Sequence, residues 1–223
     1  MPRAGRPERR NQRASRETPL KRRVREERET VYLQAVTEAA ERVFAEKGAD
    51  GSRMNEIAAE AGISLGTLYG VIDGKASLLL GIHKRRMQEF MDCIRAASAA
   101  HEGTLARHLA VVRLGAQFFL DHPDFLRICC QPGFGWASRF PAPGPAADLW
   151  DEGTAVPREL FVRGIAEGIY VDEDPALLVR KMLALKQVEL SHWVDHGMTT
   201  PHEEVLDRLE RQFIRAFCVP TRG

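Results

Sequence analysis

Apolar residues recur at helical spacing along most of the chain, and their rhythm divides it into successive helices. From Thr30 to Lys47, Val31, Tyr32, Ala35, Val36, Ala39, Ala40, Val43 and Phe44 recur in pairs four apart, predicting a helix of four to five turns. Gly48 supplies its stop, and Phe44 is its core anchor. The next stretch, Ser52 to Lys75, reads as two short helices joined by a turn too tight for a linker. Met54, Ile57, Ala58 and Ala61 fall on one face, Gly62 breaks the pattern, and Ser64 caps a second helix whose Leu68 and Ile72 point inward. That is a helix-turn-helix over about residues 53–72, with Ser52 as the first N-cap and with Ala58 and Gly62 predicted to let the two axes cross closely. Opposite Leu68, the second helix offers Gly66 and Gly70, flanked by Thr67 and Tyr69, so its outer face is mostly bare backbone.

Lys75 opens a long fourth helix that ends before Gly103, with Leu79, Ile82, Phe90, Ile94 and Ala97 inward. The basic run His83 to Arg86 on its early turns reads as a solvated face. Further helices follow over 104–120 and 124–130, separated by Asp121-His122-Pro123. Residues 131–150 are rich in Pro and Gly yet hold Phe134, Trp136, Phe140 and Trp150, which fits a lid over the body and a plug for its core equally. A helix over 154–168 comes next, passing Pro157. Asp174-Pro175 caps an eighth helix running to His196, and Thr200-Pro201-His202-Glu203 has the form of a capping box for the last. That last helix turns Val205, Leu206, Leu209, Phe213 and Phe217 inward and carries Glu204–Arg208 and Asp207–Arg211 outside at four-residue spacing. The eighth helix is apolar on two sides and needs two partners. The second is predicted to be a copy of the chain, through a four-helix seam containing Leu178, Met182, Leu185, Leu206, Leu209 and Phe213. The fold class is all-α, with about nine helices.

Charge adds an asymmetry. Residues 1–29 hold eleven Lys and Arg against five acidic residues, and the other 194 hold twenty-one against twenty-six, although the whole chain is only +1. A basic arm on an acidic body suits nucleic acid, because positive charge is needed only where phosphates lie. Residues 1–28 have too few apolar side chains to fold alone and are predicted to be a disordered, mobile arm. Within it, Arg3-Ala4-Gly5-Arg6-Pro7 is similar to the Arg-Gly-Arg-Pro core of an AT-hook, interrupted by Ala4. Minor-groove insertion and unspecific phosphate attraction both fit it. Cys93, Cys129, Cys130 and Cys218 have neither zinc nor disulfide spacing. His192 and His196 stand four apart without a third ligand, and a helix dipole accounts for them. No nucleophile elbow, P-loop or carboxylate pair occurs, so no catalytic residue, metal or cofactor is assigned. No apolar run approaches a membrane span, and a cytoplasmic protein without a membrane partner is expected.

Several of these motifs occur together in fixed order: FAEKG at Phe44 to Gly48, EIAAEAGIS at Glu56 to Ser64, GTLY at Gly66 to Tyr69, and Lys75 opening the next helix. Over this stretch of about fifty positions the chain resembles the tetracycline-repressor (TetR) family of bacterial transcription regulators. The resemblance implies a three-helix DNA-binding domain over 29–82 and a helical effector-binding and dimerisation domain over 83–223. It implies a homodimeric repressor, not an enzyme, that holds a near-palindromic double-stranded DNA operator and is released by a small-molecule effector. Expected DNA contacts are Arg3 and Arg6 of the arm, Ser52 and Arg53 clamping a phosphate, Ser64, Leu65, Gly66, Thr67, Tyr69 and Gly70 on the recognition helix, and Lys75. The expected effector wall is Phe118, Phe119, Cys129, Phe134, Trp136, Trp150, Met182 and Trp193. Typical relatives carry a basic residue at position 65, a long polar or basic one at 70, His or Tyr at 71 and Phe at 72; here stand Leu65, Gly70, Val71 and Ile72. That removes hydrogen-bond donors and leaves affinity leaning on the arm, Arg53 and Lys75. It also raises a rival reading, a dimeric small-molecule-binding protein that has lost specific DNA reading.

Overall fold

The computed structural model describes residues 18–131 and 145–220, with side chains of 21, 25, 26, 29, 99 and 145–151 left aside. Arg3, Arg6, Phe134 and Trp136 lie outside the described residues, and of Trp150 only the backbone is described. Nine helices make up the described chain: α1 (Pro19–Gly51), α2 (Met54–Glu60), α3 (Leu65–Val71), α4 (Lys75–Ala99), α5 (Thr104–Asp121), α6 (Pro123–Cys130), α7 (Pro145–Ala166), α8 (Pro175–Asp195) and α9 (His202–Phe217). One backbone bridge, Tyr170 with Cys218, ties the end of α9 to the α7–α8 connection.

The helix α1 begins well before Thr30. Pro19 suits a first helical turn, and the Arg23–Glu27 pair at 2.9 Å supports turns that bury nothing. Periodicity sees only the buried part of a helix, which is why this extension is silent in the pattern. At Gly48 the backbone swings to φ 75, ψ 158 and the helix breaks there, as predicted. α1, α2 and α3 close over Phe44, Ile57 and Leu68, all fully buried, and α4 adds Ile82 and Leu78 rather than the predicted Leu79. Gln131, at the end of α6, donates a 2.7 Å hydrogen bond to the Phe44 carbonyl, so the body grips the helix-turn-helix unit at its anchor residue.

Of the run on α4 predicted to be a solvated face, only Lys84 is exposed. Arg85 and Arg86 both turn onto Glu41 of α1, whose side chain is only 5% exposed. At α9 the proposed capping box is absent: Pro201 is the N-cap and no side chain caps it. The expected surface pairs are also replaced, since Arg208 reaches Glu189 of α8 at 2.6 Å and Asp207 meets Arg113 of α5 at 3.0 Å. The predicted dimer residues need correction too. Leu178, Met182, Leu206, Leu209 and Phe213 are buried within their own chain, and Leu185 is half-buried, because α5 and α7 supply the second wall that two apolar faces demanded.

Deep in the body His108 is fully buried among Phe161, Phe213 and Tyr170, with ring centroids 4.4, 4.8 and 5.4 Å away. Its Nδ1 shares a 3.0 Å hydrogen bond with the Tyr170 hydroxyl, while Nε2 has no partner. Burial pushes its pKa down to about 3. The unfolded chain binds this proton below about 6.5 and the folded chain does not, so stability is lost as pH falls from about 6.5 toward 3. Unfolding free energies from denaturant titration at pH 7 and pH 4 should differ by on the order of 2 kcal/mol more in the wild type than in His108→Gln.

Candidate nucleic-acid interface

The interface is built by the turn between α2 and α3. Gly62 has φ +67, and an added Cβ there would meet nothing within 4 Å. Its role is therefore the left-handed backbone of the turn rather than the close axis crossing expected from sequence. Ala58 does lie buried at that crossing. Ser64 then caps α3, its Oγ accepting from the Thr67 N–H at 3.0 Å and lying 2.9 Å from the Thr67 hydroxyl.

Leu68 anchors α3 inward, and the opposite side faces out as read from sequence. Leu65 is 41% and Tyr69 55% exposed, and beside them Gly66 and Gly70 form a second exposed row one turn apart. A Cβ on Gly70 would touch nothing, and one on Gly66 would meet only the Ser64 Oγ at 3.8 Å. Nothing among the described residues calls for glycine at either place. The helix carries no charged residue, so it presents a flat backbone strip edged by one aliphatic and one phenol side chain.

The charges around it are distributed differently from expectation. Arg53 is exposed and makes no ion pair among the described residues, but its backbone N–H donates to Glu56 Oε2 at 2.9 Å, so a carboxylate already sits at the start of α2. Lys47 and the Arg53 amide together hold the Glu56 carboxyl below its ordinary range. Ser52 is buried, its hydroxyl donating to the Ala49 carbonyl at 2.9 Å, so the hydroxyl is turned away from any phosphate. Lys75 also has an internal task. Its ammonium donates to the carbonyls of Ala49 at 2.8 Å and Ser52 at 3.0 Å, pinning the start of α4 to the end of α1. Sequence spacing alone had no means of locating those carbonyls.

The body contains a small cavity of about 40 Å³ between α4, α5, α7 and α8. Its wall includes Phe90, Val112, Pro157, Met182, Leu209 and Lys186. Of the expected effector residues whose side chains are described, only Met182 reaches it, although Leu185, Leu209 and Phe213, expected at a dimer seam, line it as well. Phe118, Phe119 and Cys129 are buried core beside it, and Trp193 pins the α8–α9 turn through a 2.8 Å hydrogen bond from its indole N–H to the Thr200 carbonyl. The residue that sequence reasoning missed is Lys186, although a lysine in a stripe with Met182 and Leu190 was a visible interruption. No group of three or more metal-ligating side chains occurs among the described residues, and no single described helix is long and apolar enough to cross a membrane.

Residues 36–82 match the model of a family described as bacterial regulatory proteins, tetR family. No curated protein matches the chain. Among solved structures, a putative tetR family transcription regulator from Shewanella sp. PV-4 is 21% identical with a TM-score of 0.66, covering 85% of this chain and 99% of that one. The ketosteroid transcriptional regulator KstR2 of Mycobacterium tuberculosis is 19% identical with a TM-score of 0.68, covering 84% and 95%. The transcriptional regulator FadR from Bacillus subtilis, in complex with stearoyl-CoA, is 16% identical with a TM-score of 0.67, covering 81% and 97%. At these identities the likeness concerns the fold.

Proposed function

The chain belongs to the TetR family of bacterial transcription regulators, whose DNA-binding domain it carries over residues 36–82, and from that premise we propose that it is a dimeric, effector-released repressor of a near-palindromic operator. The family is one of DNA-binding regulators and not of enzymes. The observation that carries the reading is the bare strip of Gly66 and Gly70 on α3, which has no use inside the chain and suits close approach to base edges in a major groove. Leu65 and Tyr69 edge that strip, the Thr67 methyl is suited to a thymine methyl, and the Tyr69 hydroxyl to a phosphate. Arg53 and the arm arginines, Arg3 and Arg6 among them, supply the phosphate contacts that α3 lacks.

Dimerisation falls to the outward side of the body. Leu177 and Val188 on α8 and Ile214 on α9 are large apolar side chains left exposed by their own chain, Val188 to 63%. Two copies joined there hold two recognition helices for successive grooves. The effector enters the cavity, one wall of which is Phe90 and Ile94 of α4. Volume added there bears on the helix whose first residue, Lys75, is pinned beside α2, so filling the body shifts the reading head. FadR of Bacillus subtilis, solved with stearoyl-CoA, supports an effector with a large apolar part.

The test is selection of bound duplexes from a random pool at two salt concentrations, with sedimentation to measure mass. A dimer of the 25.0 kDa chain and one enriched near-palindrome are expected. Deleting residues 1–17 removes six arginines and two glutamates and leaves α1 whole. It should lower affinity at least about tenfold near physiological salt and flatten the salt slope by several units, at roughly 0.9 for each phosphate no longer neutralised. A monomer, no enriched duplex, or a slope untouched by the deletion would each count against the corresponding part of the proposal.

A further inference from the structure

Lys186 is half-buried in the apolar stripe of α8, with buried Met182 one turn before it and buried Leu190 one turn after. Its Nζ stands 4.9 Å from the centre of the Phe90 ring and 5.2 Å from that of Phe119, on the wall of the cavity. The nearest carboxylate along its own helix, Glu189, is held by Arg208 and Gln212 of α9, both at 2.6 Å. Among the described residues no carboxylate pairs with Lys186. The nearby Cys129 thiol is kept in its neutral form by burial and offers no counter-charge. Burial pulls the ammonium down to about 8, so it still carries its proton at neutral pH. Two ring faces offset only part of the desolvation of such a charge.

We propose that Lys186 is the counter-ion of the effector, and that the cavity between α4, α5, α7 and α8 takes a monocarboxylate with an apolar body, its carboxylate on Nζ and its body against Phe90, Val112, Met182 and Leu209. The identification as effector rests on the regulator reading above; the binding site itself does not. A single ammonium with no arginine fork beside it matches one negative charge, whereas a phosphate dianion would leave a second charge unpaired among apolar side chains. The present space admits only the head group. The body enters by parting the wall at Pro157 of α7, where the missing N–H leaves the helix one backbone bond short.

The test uses the full chain without DNA. Calorimetry compares octanoate with octanol and 4-phenylbutyrate with 4-phenylbutanol, in the wild type and in Lys186→Met. In the wild type at least one acid should bind ten or more times tighter than its alcohol. Lys186→Met should abolish that preference while keeping alcohol binding, and it should raise the melting temperature of the ligand-free protein by several degrees. Acids that bind no better than their alcohols, or a preference that survives Lys186→Met, would overturn the site. So would a lower ligand-free melting temperature in the variant, which would make the ammonium a cation–π anchor. Release of operator DNA is scored separately: an acid that binds through Lys186 without releasing DNA supports the site and counts against effector control.

Discussion

Glu41→Gln should lower the stability of the chain by about 3–5 kcal/mol, the range for removing one partner of a buried ion pair. Glu41 sits on α1 facing α4, where it accepts from Arg85 at 2.8 Å and from the Arg86 Nε at 2.9 and 3.2 Å. Burial works against the Arg86 charge, but the hydrogen bonds Arg86 donates to Glu41 and Glu89 outweigh it and hold the pKa above the ordinary arginine value. Glutamine keeps the shape and removes the one buried counter-charge, so two half-buried guanidinium groups are left with only the more exposed Glu38 and Glu89 as counter-charges. For a chain of this length the melting temperature should fall by on the order of 10 °C. The double variant Glu41→Gln, Arg86→Met should recover part of the loss, because the two sites are coupled and the worst feature of the single variant is the stranded cation. A fall of less than about 2 °C in Glu41→Gln would show that the cluster is solvated and contributes little.

That cluster also shows where the sequence was legible and where it was not. The helix-turn-helix could be read because its signals are local: Ser64 caps within three residues, Gly62 ends α2, and Leu68 lies at the centre of a stripe. Lys75 and the pair Arg85 and Arg86 could not be read locally, since their partners stand 23 to 45 residues away on another helix. Each looked like a surface cation, and each spends its charge inside the fold. The residues named for the dimer seam were misplaced for a related reason. Two apolar faces on α8 do require two partners, but periodicity counts partners without saying which chain provides them, and α5 and α7 cover the face whose residues were assigned to a second copy. A stronger signal lay in the interruptions. Glu41 sits beside Ala40 in the stripe ending at Phe44, His108 precedes Val111 and Val112, and Lys186 stands between Met182 and Leu190. A titratable residue within an apolar stripe must find a partner or forgo its charge. Here Glu41 found two arginines, His108 is kept neutral, and Lys186 is left without an anion.

Gly66→Ala, Gly70→Ala should make the chain more stable and a worse DNA binder at once. Glycine within a helix costs about 0.5–1 kcal/mol against alanine, through the freedom it loses on folding. The added methyl groups meet nothing closer than 3.8 Å, so the full gain of about 1–2 kcal/mol should appear as a rise in melting temperature of roughly 2–8 °C. On DNA the same methyl groups stand on the face that approaches base edges and hold the α3 axis off the groove floor. Affinity for the selected operator should fall at least about tenfold, equivalent to roughly 1.4 kcal/mol. The salt slope should not move, because every phosphate keeps its partner, and in this the double variant differs from deletion of residues 1–17. Opposite signs on the two measurements exclude misfolding as the cause of weaker binding. If the variant is stabilised yet binds the operator as tightly as the wild type, the strip does not meet the bases, and the rival reading of a ligand-binding dimer without specific DNA recognition becomes the better account of Leu65, Gly70 and Val71.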